Sequence, residues 1–171
     1  ICYANYYSKL SYCNYEGDTK FYLGTEYMPL RKVYQNCKPK VINERIENIM
    51  ILSGGSDNYH MIEHIVDLFK DNNGIQVDII CGAFYPDFRG LKDKFTDYNN
   101  LHFYQNVSNL DEFMDKADLA ISAGGTTLYE LCAKGTPTIS YSFADNQLYN
   151  VKQFQKDGLM EYAGDGRNDK I

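Results

Sequence analysis

A chain of 171 residues with 44% hydrophobic and 23% charged side chains can bury one full core and has the balance of an ordinary globular domain. Its formal net charge of −6 argues against a nucleic-acid surface, which needs clustered Lys and Arg, but permits a small anionic ligand held by backbone dipoles. No apolar run approaches the length of a membrane span and no secretory pattern opens the chain; the five cysteines (Cys2, Cys13, Cys37, Cys81, Cys132) lack a CxxC pair, as expected in a reducing cytoplasm.

The chain opens on Ile1, and residues 1–47 hold eight of the sixteen tyrosines without a helical period. Within them Phe21-Tyr22-Leu23-Gly24 reads as a short strand ending in a turn, and Met28-Pro29-Leu30-Arg31 as a helix start or a loop. This stretch is expected to be the end of a preceding domain plus an interdomain linker that packs along the next one, the chain being a fragment or a processed form. From Asn48 the pattern becomes regular and defines a second unit, residues 48–171. Ile49-Met50-Ile51-Leu52 is a strand stopped by Ser53-Gly54-Gly55-Ser56-Asp57. A helix follows with Met61, Ile62, Ile65, Val66, Leu68 and Phe69 on one face, ended by Asn72-Asn73-Gly74. The next strands are 77–81 and 101–104, with a short helix at 88–95 between them and another at 110–116 after them.

The stretch 117–147 is the most informative. It reads as a buried strand (119–122), a glycine turn (Gly124-Gly125), a helix starting at Thr126-Thr127 and stopped by Gly135, and a further strand (138–141). A last helix spans 147–156, with Leu148, Val151 and Phe154 facing inward. Strands alternating with helices imply an α/β fold, a Rossmann-like doubly wound sheet of mostly parallel strands joined by right-handed crossovers.

Two glycine turns then matter together. In strand order 3-2-1-4-5-6 the first and fourth strands are neighbours, so Gly54-Gly55 and Gly124-Gly125 would face one crevice at the switch point. A helix start there offers unsatisfied backbone N–H groups to an anion. Ser53-Gly54-Gly55-Ser56-Asp57 is not a dinucleotide fingerprint, the second strand ends in Ile80-Cys81-Gly82 without an acidic residue, and no P-loop occurs. Glu130 lies one turn into the helix, where it can accept from ligand hydroxyls; its plainer reading is a solvated helix residue. Asn146 can serve as a ligand contact, as the N-cap of the last helix, or as both. Ser53, Ser56 and Asp57 are turn and cap residues first, with Ser56 a secondary phosphate contact. His60 and His64, at i, i+4 on one helix, lack a third metal ligand and are expected in surface or structural roles.

The motifs Ser53 to Asp57, Ala117 to Glu130, Gly135-Thr136-Pro137-Thr138 and Ala144-Asp145-Asn146-Gln147 resemble the C-terminal half of two-domain GT-B glycosyltransferase-like proteins. The nearest likeness is to the UDP-sugar hydrolases of pseudaminic acid biosynthesis and their spore coat polysaccharide relatives. A more distant one is to the N-acetylglucosaminyltransferases of peptidoglycan synthesis. The likeness spans roughly residues 20–165 and includes Tyr22 to Arg31, which look like the interdomain segment. The resemblance implies that Glu130 binds the ribose hydroxyls and the Val107 backbone reads the uracil edge. It assigns the diphosphate to Gly54, Gly55, Gly124, Gly125 and Thr126, and the sugar or diphosphate to Asn146 and Gln147. It implies no cofactor and no metal, a UDP-sugar as partner, and packing against an N-terminal domain carrying the catalytic base, a histidine. The fragment alone would then be inactive. A donor-binding half of a true glycosyltransferase and a non-catalytic nucleotide-sugar-binding module are the alternatives.

Overall fold

The computed structural model describes residues 2–3, 17–55, 57 and 59–168. Ahead of the main sheet, β1 (Cys2–Tyr3) and β2 (Tyr22–Leu23) form a short parallel pair. The main sheet holds β3 (Asn48–Leu52), β4 (Gln76–Cys81), β5 (Leu101–Gln105), β6 (Leu119–Ala123), β7 (Thr138–Ser142) and β8 (Glu161–Asp165). All pairings in it are parallel, and the spatial order is β5-β4-β3-β6-β7-β8. Counted within this sheet, that is the doubly wound order 3-2-1-4-5-6, with the reversal between β3 and β6. The five expected strands are present, and β8 adds a sixth that the sequence reading lacked.

Side chains alternate between two packed faces, as a sheet covered on both sides requires. Ile49 and Ile51 of β3, Val77 and Ile79 of β4, and Ile121 of β6 enter one cluster with the helices α1 (Met61–Asp67) and α2 (Phe88–Lys94). Met50, Leu52, Ile80 and Ala120 enter the other, with α3 (Leu110–Lys116), α4 (Thr127–Lys134) and α5 (Asp145–Lys156). Within the helices Ile62, Val66, Met114, Leu128, Leu131 and Val151 are fully buried. The one charged residue on these central strands, Asp78, is buried and meets Lys116 Nζ at 3.0 Å.

Three local expectations need correction. The first helix stops at Asp67, and its last turn tightens through Leu68 N to Ile65 O (3.1 Å) and Phe69 N to Val66 O (3.0 Å). Phe69 still packs on the core, but Leu68 swings out to 75% exposure. His60 is not on the helix with His64: it caps it in the left-handed region, φ 54°. The last helix begins at Asp145, so Asn146 sits in its first turn and Ala144 holds the cap position. Leu148 is half-buried there, whereas Val151 and Phe154 are fully inside.

The segment before the sheet is sewn to the second face. Tyr34, at 2% exposure, joins that cluster with Met28 and Leu30 against it. Lys40 Nζ donates to the carbonyls of Met114 (2.8 Å) and Asp115 (2.7 Å), capping the C-terminal end of α3. Asp118 Oδ2 accepts from the amides of Glu47 and Asn48 at 2.9 Å each, and its Oδ1 from Asn43 at 2.7 Å. Among the described residues no helix is long and apolar enough to cross a membrane.

The start of α1 rests on Asp57, which is 1% exposed. Its two carboxylate oxygens accept from the Met61 and Ile62 amides, both at 2.9 Å. Asp57→Ala leaves those two donors buried and unpaired, so it is expected to lower stability by about 2 kcal/mol in urea denaturation. Asp57→Asn keeps one acceptor and is expected to lose less.

Candidate functional site

The carboxyl ends of β3, β4 and β6 open into a crevice of about 360 Å³. One wall is the loop after β3, with Ser53, Gly54 and Gly55; the facing wall is the turn after β6 and the first residues of α4, with Gly125, Thr126 and Thr127. Ile80, Cys81 and Gly82 floor it, Asn106, Val107 and Leu110 close one end, and Phe143 and Gln147 the other. A second depression of about 300 Å³ along edge strand β5 holds no glycine turn and no helix start.

Glycine shapes this crevice in three ways. Gly54 adopts φ +77°, a left-handed turn that sends the chain across the sheet end. Gly82 lies under that loop, where a Cβ would come within 2.3 Å of Gly54 O and 2.9 Å of Gly55 Cα. Gly124 lies beneath α5, where a Cβ would meet Val151 Cγ1 at 2.6 Å and Gln147 Cβ at 3.0 Å. The β6 turn therefore packs directly under the helix that carries Gln147. Below the first loop, Tyr141, 1% exposed, donates its hydroxyl to Leu52 O at 3.0 Å and ties β7 to the end of β3.

At the start of α4, Leu128 N and Tyr129 N bond back to Gly125 O (3.3 Å) and Thr126 O (3.1 Å), while Gly125 N is taken by Ala123 O (2.8 Å). Thr126 and Thr127, which line the wall, carry the helix's first amides, donors without an acceptor in the preceding turn. Gln147 Oε1 accepts from Phe143 N at 2.9 Å, which turns its amide nitrogen into the donor end left for a ligand. Asn106, at φ 52°, and its amide bond to Cys81 O (3.0 Å) fold the chain after β5 so that Val107 reaches the crevice.

Of the residues singled out from the sequence, Gly54, Gly55, Val107, Gly125, Thr126 and Gln147 line this one crevice. Gly124 supports it from beneath, and Ser56 lies outside the described residues. Asn146 is exposed at the start of α5 and does not line the wall, and neither does Glu130, one turn deeper on α4. Glu130 instead meets Arg31 Nε at 3.5 Å, with its own side chain 20% exposed. Burial pushes the Glu130 carboxyl above its ordinary value; Arg31 and Tyr34 oppose that shift, and Asp111 adds to it. Gly82, Asn106, Thr127 and Phe143 also belong to the crevice. Gly82 was visible as a third glycine directly after a strand, while the other three carried no distinctive signal.

Among the described residues no charged side chain lines the crevice. Its polar groups are backbone amides, hydroxyls and side-chain amides, a donor-rich surface in a chain of net charge −6. Such a wall suits an extended polyanion that needs directional hydrogen bonds rather than counter-charges. Among the described residues no group of three or more His, Cys, Asp or Glu is placed to hold a metal ion. His60 lies at a separate depression with Glu63 and Tyr85, and His102 Nε2 faces Gln76 Oε1 at 3.0 Å on the sheet edge.

Residues 44–166 match the glycosyltransferase family 28 C-terminal domain, and the chain belongs to that family. It is 35% identical over 123 residues to the UDP-N-acetylglucosamine–N-acetylmuramyl-(pentapeptide) pyrophosphoryl-undecaprenol N-acetylglucosamine transferase of Helicobacter pylori 26695, covering 67% of this chain and 35% of that protein. Over 147 residues it is 24% identical to the spore coat polysaccharide biosynthesis protein SpsG of Bacillus subtilis 168, covering 84% and 43%. The crystal structure of Acinetobacter baumannii MurG superposes with a TM-score of 0.56 at 18% identity, over 71% of this chain and 37% of that one. The fold is thus that of GT-B glycosyltransferases, and the chain spans between a third and a half of the length of these relatives.

The glycine contacts predict a contrast within one loop cluster. Gly82→Ala drives a methyl into the Gly54-Gly55 backbone and is expected to cost on the order of 1–3 kcal/mol in urea denaturation. Gly55→Ala meets nothing within 4 Å and is expected to stay within about 0.5 kcal/mol of the parent.

Proposed function

We propose that this chain is the UDP-sugar-binding half of a two-domain GT-B enzyme, with residues 1–47 the end of the preceding domain plus the linker and 48–171 the donor domain. The observation that carries this reading is the convergence of two glycine loops, a helix start and Val107 on one crevice with neutral, donor-rich walls. In it the diphosphate lies against Gly54 and Gly55 on one side and Gly124, Gly125 and Thr126 on the other. The uracil reaches the Val107 end, the ribose hydroxyls face Glu130, and Gln147 with Asn146 meets the sugar or the β-phosphate. Backbone amides replace a metal as the partner of the diphosphate charge.

The enzyme would act in the cytoplasm, its donor domain packing against an N-terminal domain that supplies the base for attack at the anomeric carbon. Transfer to an acceptor is the reaction we favour, because the transferase relatives are 35% identical over two-thirds of this chain. Hydrolysis of a UDP-sugar, as in pseudaminic acid or spore coat polysaccharide pathways, is the second reading and draws support from the likeness to the spore coat protein. No His, Asp or Glu is among the described crevice residues, so the 171-residue chain by itself is expected to bind the nucleotide without turning it over.

Calorimetric titration with UDP is expected to give binding that is the same in EDTA as in Mg²⁺; no heat in either condition would remove the nucleotide reading. Glu130→Ala is expected to weaken UDP binding by on the order of 1.5–3 kcal/mol, the range for hydrogen bonds to a charged group, with the fold intact by circular dichroism. For the enzyme with both domains, UDP release that requires an added acceptor supports transfer, and release into water alone at a rate on the order of 1 per second supports hydrolysis.

A further inference from the structure

Glu130 does not stand alone on its helix. The guanidinium of Arg31 lies 4.9 Å from the centre of the Tyr34 ring and donates from Nη2 to the Tyr34 hydroxyl at 2.6 Å. The same side chain brings Nε to 3.5 Å from Glu130 Oε1. Tyr34 is 2% exposed, so its ring is a fixed post in the second core cluster rather than a surface tether. Arg31 thus links Tyr34, its neighbour in the segment ahead of the sheet, to Glu130 of α4, about a hundred residues away in sequence.

We propose that Arg31 and Tyr34 are positioning residues for the Glu130 carboxylate, so that the segment before the sheet completes the ribose end of the donor site. The inference rests on the nucleotide reading above and adds to it the residues that orient its one carboxylate. A carboxylate has two oxygens, and a diol hydroxyl needs one of them presented at a fixed angle. Arg31, itself held by the Tyr34 hydroxyl, engages Glu130 from the segment ahead of the sheet and fixes its side chain one turn of α4 beyond the crevice wall, where a ribose extending from the crevice would meet it. Arg31 and Tyr34 also offset burial and the nearby Asp111, both of which favour the protonated acid, a poorer acceptor. An exposed ion pair of this length is ordinarily worth little stability, and Arg31 is 54% exposed. A merely structural pair would therefore leave ligand preference untouched, whereas a positioning pair would not.

The test compares UDP with 2′-deoxy-UDP by calorimetry on the 171-residue chain and on Arg31→Ala, Arg31→Lys and Tyr34→Phe. The parent is expected to prefer UDP. Arg31→Ala is expected to weaken UDP by about tenfold and the deoxy ligand by much less, so the preference shrinks. Tyr34→Phe keeps the ring and the packing, and is expected to shrink the preference in the same direction with thermal stability near the parent's. Arg31→Lys, which restores a cation beside Glu130, is expected to recover part of the loss. Equal losses for both ligands, or none, in Arg31→Ala and Tyr34→Phe would overturn the inference while leaving the donor site standing. A parent chain that binds neither ligand would overturn the nucleotide reading itself, and this inference with it.

Discussion

The pairing of β3 with β6 is the constraint on which the rest of the molecule depends. Ile49 faces Leu119 and Leu52 faces Ser122, so both strands end level and their following turns emerge side by side. Asp118 fixes the other end of that register: one carboxylate oxygen takes the amides of Glu47 and Asn48 at the mouth of β3, immediately before β6 begins. Burial would raise the Asp118 carboxyl, but these hydrogen bonds outweigh it and hold it below its ordinary value. A slip of one residue would exchange the two apolar faces of the sheet and separate the glycine turns. The crevice is thus a consequence of strand register before it is a property of any loop.

Close approach of backbones sets the shape of the crevice. Gly82 admits the loop after β3 and Gly124 admits α5, and each would collide with its neighbour if it carried a methyl group. These two positions bring polar backbone to the walls, where side chains would otherwise fill the space. Among the described residues the resulting surface has donors and no formal charge, the kind of wall by which an acidic chain can accept an anion. Uniform positive charge would attract any polyanion, whereas amides at fixed angles select one geometry.

The central architecture was legible because its signals are local. Runs such as Ile49 to Leu52 and Leu119 to Ser122, stopped by glycine, declare buried parallel strands, and Gly135 at φ 69° ends α4 where the sequence says it should. β8 was missed because Glu161-Tyr162-Ala163-Gly164-Asp165 has little apolar content and lies on an edge, with a register shift against Ser140 and Tyr141. Its end matters to the site's frame: Arg167, just after it, bridges Asp165 and Asp145, the latter at 2.7 Å, and so holds the first residue of α5. Asn146 is not the cap because the helix begins two residues earlier than expected, at Asp145, with Ala144 extended at φ −147°. The partner of Glu130 was invisible for a different reason: Arg31, with Tyr34 holding it, lies far from it in sequence, and only packing of the segment ahead of the sheet on α4 brings them together.

That packing makes the segment ahead of the sheet part of the domain's frame. A mere connector needs only length and solubility, yet this segment buries Tyr34, caps α3 through Lys40 and reaches Asp118 through Asn43. Each contact falls on α3, α4 or the β3–β6 register, the same elements that build the crevice. A segment bound in this way cannot shift without disturbing Asp118 at the register or Glu130 at the flank. A displacement of this segment would therefore arrive at the flank of the crevice as a change in hydrogen-bond geometry around Glu130 and at the β3–β6 register.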